Sequence, residues 1–322
     1  MESTPQTQLV FKQFPGRPSS HCATLTELSD GRVLAVWYAG SREGASDVAL
    51  LAAAYDGTWS EPWVLLDTPG LPDGNPTLWT APDGAIHLYH VVIHGHGWDS
   101  VLPYYRISTD DGNTWSESAL FEDRRGLMFR CRPIALCSGR VVFPVYDETV
   151  WCGLCYLSDD GGQSWRASAA MTAPTGCIQP AVVERRDGTL CAYLRTGEEG
   201  DCVWQSNSDD GGETWSPCQR TMWPNPNAGI DLLRCHDDAW VLACNPIVQG
   251  RGRLSLALSR DEGTSWLELP VEAEPGAEFS YPALLQDRAG RCHLLYTYRR
   301  QTIKHVAFEP QWLSDEGRPH PT

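Results

Sequence analysis

No stretch of this 322-residue sequence reads as a hinge between domains. It has no Ser/Gly-rich linker, charge block or low-complexity tract, so one domain spanning 1–322 is expected. The amino-terminal MESTPQTQLVFKQFPG lacks a basic start followed by an apolar run, and nowhere do 18 apolar residues stand together. On those grounds the protein is expected to be unexported and cytoplasmic, without a membrane partner. Positive charge is scarce. The 25 Lys plus Arg against 41 Asp plus Glu leave −16, which opposes attraction to nucleic acid or an anionic bilayer. Apolar residues at helical spacing are missing from every long stretch, which excludes a helical fold. The Cys152-x-x-Cys155 pair has no second such pair beside it, so strand packing explains it and no metal is expected. The twelve cysteines are expected as thiols, many of them small hydrophobes on strands.

Tryptophan, by contrast, is abundant, and it recurs at a fixed interval. Four segments share the pattern S-x-D-x-G-x-[ST]-W: STDDGNTW from Ser108, SDDGGQSW from Ser158, SDDGGETW from Ser208 and SRDEGTSW from Ser259. A shortened relative, AYDGTW, ends at Trp59. The closing residues Trp59, Trp115, Trp165, Trp215 and Trp266 are 50 to 56 residues apart, the length of one four-stranded sheet. A second repeat runs out of phase with the first: a tight turn followed by an apolar strand, in LSDGRVLAVWY, APDGAIHLYHV, CSGRVVFPVY, RRDGTLCAYLR, HDDAWVLACN and RAGRCHLLYTY. Six copies imply an all-β, six-bladed β-propeller of four-stranded antiparallel blades. The segment Leu9 to Phe14 is expected to complete the last blade and remove a sheet edge. In the boxes, Gly permits a left-handed turn, Asp accepts hydrogen bonds from loop amides, and Trp packs between sheets, so these loops are scaffold.

Several residue groups carry possible chemistry. Arg195, Arg251, Arg299 and Arg300 are expected on or just after strands near the axis, and Arg42, Arg130 and Arg132 in inter-strand loops; these guanidinium groups either converge to hold a carboxylate or pair with the excess of acids. Asp47 lies in SREGASDVAL beside Arg42 and competes with Glu43 as an acid. His21 and His90 are candidate bases. Asn75, Gln179, Asn225, Asn227 and Asn245 sit at strand corners and either bind sugar hydroxyls or cap turns. Trp37, Trp79, Trp98 and Trp223 are candidate sugar platforms, though packing is the commoner use.

The boxes, together with SHCATL, SREGASDVAL, GNPTL, CIQPAVV, LRTG, NPNAGID, EFSYPAL and YRRQTIKH, resemble the sialidase (neuraminidase) superfamily, and most closely bacterial sialidase-like proteins, from about His21 to Phe308. The resemblance implies an arginine triad on a substrate carboxylate, a tyrosine nucleophile activated by a glutamate, and an aspartate acid/base. The second triad arginine falls on Arg195, the third on Arg251 or Arg253, and the acid/base on Asp47. The first arginine position is His21, with Arg17 close by. The glutamate position is Gln179, which cannot accept a phenol proton. The tyrosine position is Phe279, with Tyr281 two residues on and therefore expected on the same strand face. The residues expected at the site are thus Asp47, Tyr281, Gln179 and His21 for catalysis, and Arg42, Arg195, Arg251, Asn75, Asn227 and Arg299 for the substrate, with no cofactor. Three functions fit: a sialidase-like glycoside hydrolase acting on a terminal acidic sugar; a lyase or atypical glycosidase acting on uronates through His21 or His90; and a non-catalytic glycan-binding propeller.

Overall fold

Each of the six tight turns joins the first two strands of an antiparallel meander, and each Asp box joins the last two. The computed structural model describes residues 4–198 and 200–320. Among these the strands form six sheets. Blade 1 holds Ser19–Glu27, Val33–Gly40, Ala49–Tyr55 and Trp63–Leu66, and blade 2 holds Asp73–Thr80, Ile86–Ile93, Val101–Ser108 and Ala119–Leu120. Blade 3 has an innermost strand broken into Leu127–Phe129 and Ile134–Ala135, followed by Val141–Asp147, Cys152–Ser158 and Arg166–Ala167. Blade 4 holds Cys177–Glu184, Leu190–Thr196, Asp201–Ser208 and Gln219–Asn225, and blade 5 holds Asp231–Arg234, Trp240–Cys244, Arg253–Ser259 and Leu267–Ala273. Blade 6 holds Phe279–Gln286, Cys292–Tyr298 and Thr302–Phe308. The sequence pattern did not anticipate the short helix Pro310–Glu316, which leads to Arg318–Pro319, a fifth strand on the outer edge of blade 5.

The amino terminus closes the ring, in a different register from the one expected. Gln6–Leu9 pairs antiparallel with Thr302–Phe308, Gln6 opposite Ala307 and Leu9 opposite Lys304. The strand ends at Leu9 because Val10 and Phe11 turn inward, Phe11 stacking on Trp37 at 5.1 Å in a cluster that joins blades 1 and 6. Comparable apolar clusters fill the other gaps between blades. They claim Trp37, Trp79 and Trp223, which are buried packing residues and not sugar platforms; Trp98 remains half-buried beside Tyr38. Cys152 and Cys155 are buried on one strand of blade 3, as packing requires.

The four complete boxes repeat one set of hydrogen bonds. The box Ser hydroxyl accepts the amide of Gly112, Gly162, Gly212 or Gly263 at 2.7–2.9 Å. The box Asp accepts the amide four residues after the Ser-x-Asp aspartate's own position, in Thr114, Ser164, Thr214 or Ser265, at 2.8–3.0 Å, and the same residue's hydroxyl at 2.6 Å. Gly162 shows why glycine is needed: its φ is 95° and a Cβ there would stand 3.0 Å from Trp79. Hydrogen bonds from Ser164 hold Asp160 down at about 2; burial opposes the shift at Asp210, but the Thr214 bonds prevail and it too lies at about 2. Carboxylates depressed in the fold stabilise it above their unfolded value, and that contribution is lost as pH falls from about 4 towards about 2. The urea midpoint is therefore expected to fall more steeply over this window in the wild type than in the Asp160→Asn/Asp210→Asn variant. Equal slopes would show that the boxes do not carry the acid sensitivity.

Candidate active site

An antiparallel meander places the tight turns and the Asp boxes at one end of the ring. The connections between second and third strands gather at the other, together with the entries to the innermost strands. Four of those innermost strands carry a β-bulge, with register shifts at His21/Thr24, Gly74/Thr77, Ile178/Ala181 and Ser280/Ala283. Each bulge holds a residue at positive φ: Cys22 at 56°, Asn75 at 39°, Gln179 at 56° and Tyr281 at 53°. Such residues are strained, by roughly 1–3 kcal/mol each, and bulges re-aim side chains out of the strand's alternation. Here they aim at the axis.

Tyr281 stands at the centre. Its Oη accepts from Arg195 Nη1 at 2.8 Å and Gln179 Nε2 at 3.4 Å. The guanidinium carbons of Arg130, Arg251 and Arg195 lie 5.2, 5.5 and 5.8 Å from its ring centroid. The His21 ring is 4.1 Å from the same ring. Gly229 completes the floor: a Cβ there would approach Gln179 Oε1 at 3.1 Å and Tyr281 Cγ at 3.5 Å. Phe279 is not the axial residue. The bulge breaks the two-residue alternation, so Phe279 is buried among blade 5 and 6 side chains while Tyr281 faces the axis.

Other expected residues fall into three groups. Gln179, His21, Arg195 and Arg251 converge as read from the sequence. His21 is fully buried, with Nδ1 2.8 Å from Thr297 Oγ1 and Nε2 unpartnered among the described residues. Burial, then Arg300, Arg251, Arg130 and Arg195, push its pKa well below the usual histidine value. A second group is structural. Asn75 donates to Phe129 O at 3.1 Å and Tyr146 Oη at 2.9 Å, is 3% exposed, and supports the floor instead of meeting sugar hydroxyls. Asn225 caps a turn through Ala228, and Asn245 ties the Arg253 and Phe279 carbonyls together. His90 is buried against Ser118, and burial followed by Arg106 lowers its pKa to about 3, so it cannot reach a substrate as a base.

The third group lies at or beyond the rim. Asp47 is exposed, and its oxygens accept the Ser41 amide at 3.0 Å and hydroxyl at 3.0 Å. Arg42 is exposed on the same loop. Arg17 is held by Asp67 at 2.7 Å. Arg299 points outward to Glu274 and the Tyr298 ring, and its neighbour Arg300 takes the inner place, bonded to Glu43 and to Glu278 at 2.7 Å. Two consecutive positive φ values, 56° and 59°, produce that exchange. Arg253 pairs with Glu268 at 2.7 Å, leaving Arg251 as the inward arginine of that loop.

Arg130, in MFRCRP, was legible only as one loop arginine among many. It is 3% exposed, donates to Pro282 O, and has an Nε without a partner among the described residues. Asn227, at φ 58°, positions two arginines: Oδ1 accepts Arg195 Nε at 2.7 Å and its carbonyl accepts Arg251 Nη2 at 3.0 Å. Asn227→Gly keeps the left-handed backbone and removes Oδ1 together with Nδ2, whose 3.3 Å bond to Gly197 O is the weaker of the two. Losing one charge-assisted bond, about 1.5 kcal/mol, is expected to raise KM for an acidic glycoside about tenfold with little change in kcat. A fall in kcat at constant KM would refute that positioning role.

The family model of the BNR repeat-like domain matches residues 31–294. Among curated proteins, the anhydrosialidase of Macrobdella decora is 29% identical over 179 residues, covering 49% of this chain and 23% of its own length. The sialidase of Micromonospora viridifaciens is 26% identical over 236 residues, covering 64% of this chain and 35% of its own length. The chain therefore spans about a quarter and a third of these relatives. Among solved structures, a protein of unknown function from Dyadobacter fermentans superposes with a TM-score of 0.78 at 18% identity, covering 94% of this chain and 99% of the other, a likeness of fold. The chain belongs to the BNR repeat-like domain family of the sialidase superfamily.

Proposed function

We propose that this protein is a sialidase-like glycoside hydrolase that binds the terminal acidic sugar of a glycan at the axial site, a sialic acid being the first substrate to test. The observation that carries the reading is the convergence of Arg130, Arg195 and Arg251 on Tyr281. Like charges brought this close repel one another, and a carboxylate ligand offsets that repulsion while accepting bidentate hydrogen bonds. The −16 net charge makes such a local cationic floor a specific feature and not a general surface property. On this reading Tyr281 Oη, held by Gln179 and Arg195, would face the anomeric carbon of the bound sugar acid.

The names of the two curated relatives support sialic acid over other sugar acids. Incubation with a methylumbelliferyl α-sialoside and a panel of aryl uronides tests the proposal. Fluorophore release by wild type, lost on Arg195→Ala, is the expected result. No release from any acidic glycoside at high enzyme concentration, with tight binding of intact acidic glycans, would replace the hydrolase by a glycan-binding propeller.

A further inference from the structure

The axial site holds three carboxyl groups near its arginines, and two are locked. Glu43 accepts from Tyr38 Oη at 2.9 Å and from Arg300. Glu278 accepts from Arg300 at 2.7 Å, Arg251 at 3.1 Å and Ser280 at 2.9 Å. Although burial opposes it, Arg300 and Arg251 hold the Glu278 carboxylate below its ordinary value. Groups so engaged are poor at releasing and regaining a proton.

The third is Glu148, in the connection after the second strand of blade 3. Its amide donates to Gly126 O at 2.9 Å, one step past the Leu127–Asp147 pair, so strand alternation extends to it. Glu148 therefore shares a face with Tyr146, whose hydroxyl accepts from Asn75 and Gln179 on the floor. It stands one pleat, about 6.6 Å, nearer the open end. Asp147, on the opposite face, is spent on Arg124 at 2.6 Å and the Thr149 amide at 2.8 Å. Among the described residues the Glu148 carboxyl has no hydrogen-bond or ion-pair partner, although it is half-buried.

We propose that Glu148 is the proton donor of the axial site, protonating the leaving oxygen of the glycoside. The inference rests on the hydrolase reading above. As the glycosidic C–O bond breaks, the leaving oxygen takes the Glu148 proton and departs as an alcohol. Positive charge on the sugar ring is met by Tyr281 Oη and the sugar's own carboxylate. Water then adds to the anomeric carbon, and its proton returns to Glu148. The surroundings suit a proton holder: burial raises its pKa above the ordinary glutamate value, Asp147 and Asp99 add to that, and Arg195 only partly opposes it.

Leaving-group dependence tests the assignment. Glu148→Gln and Asp47→Asn are compared with wild type on a methylumbelliferyl glycoside, whose leaving group needs no proton, and on the same acidic sugar linked to lactose. Glu148→Gln is expected to lose at least about 100-fold in kcat on the lactose-linked substrate but under about tenfold on the aryl one, and to lose the alkaline limb of the kcat profile. Asp47→Asn is expected to change both substrates by the same factor. Equal losses for Glu148→Gln on both substrates, an unchanged alkaline limb, or a leaving-group-dependent loss in Asp47→Asn would each overturn the role of Glu148 while leaving the hydrolase reading intact. A wild type inactive on both substrates would overturn the two together.

Discussion

Arg195→Ala is expected to lower kcat/KM for an acidic glycoside by about 10²- to 10⁴-fold, through the loss of two charge-assisted hydrogen bonds of about 1.5–3 kcal/mol each to the sugar carboxylate. Arg195 is 8% exposed, so these bonds form away from bulk water, where they count fully. The variant also removes a donor from Tyr281 Oη and the partner of Asn227 Oδ1, so a thermal melt must accompany the kinetics. The decisive comparison uses the methyl ester of the same substrate. Wild type should discriminate strongly between acid and ester, and Arg195→Ala should not. If the variant loses activity but keeps that discrimination, Arg195 supports the floor and the carboxylate is held elsewhere.

The architecture could be read from the sequence because its determinants are local. A box such as Ser158 to Trp165 contains both partners of every hydrogen bond that shapes it, and a tight turn needs only its own glycine and flanking strand. In the axial site Arg195 could be read from its regular strand, and Gln179, His21 and Arg251 from the short segments around them, although they stand at bulges or outside a strand. Bulges on the innermost strands reassign side chains by one position, which is why Phe279 aligned with the tyrosine role while Tyr281 occupies the axis. A turn with two consecutive left-handed residues exchanged Arg299 for Arg300. Arg130 could be read only as one loop arginine among seven candidates, and Glu148 drew no reading from the sequence; only the third dimension joins them to blades 6 and 4. Asn75 failed for the opposite reason, since a polar residue at a strand corner was consumed by the fold's own carbonyl and phenol.

Tyr281→Phe separates the floor's two duties. The ring would remain, still facing three guanidinium groups whose cation–π contacts contribute about 0.5–2 kcal/mol each, so the arginines should keep their places. Binding of the free sugar acid is accordingly expected to change by less than about tenfold. Only Oη is removed, and with it the atom that would face the developing positive charge at the anomeric carbon; kcat is expected to fall by at least about 10³-fold. Arg195 Nη1, no longer donating at 2.8 Å to the phenol, becomes free to bond the ligand, which favours unchanged or tighter binding. Isothermal titration with the sugar acid and single-turnover kinetics on its aryl glycoside measure the two effects separately. A variant that binds normally and turns over within tenfold of wild type would make Tyr281 a platform for arginines, and the oxygen that stabilises the transition state would have to come from another group on the floor.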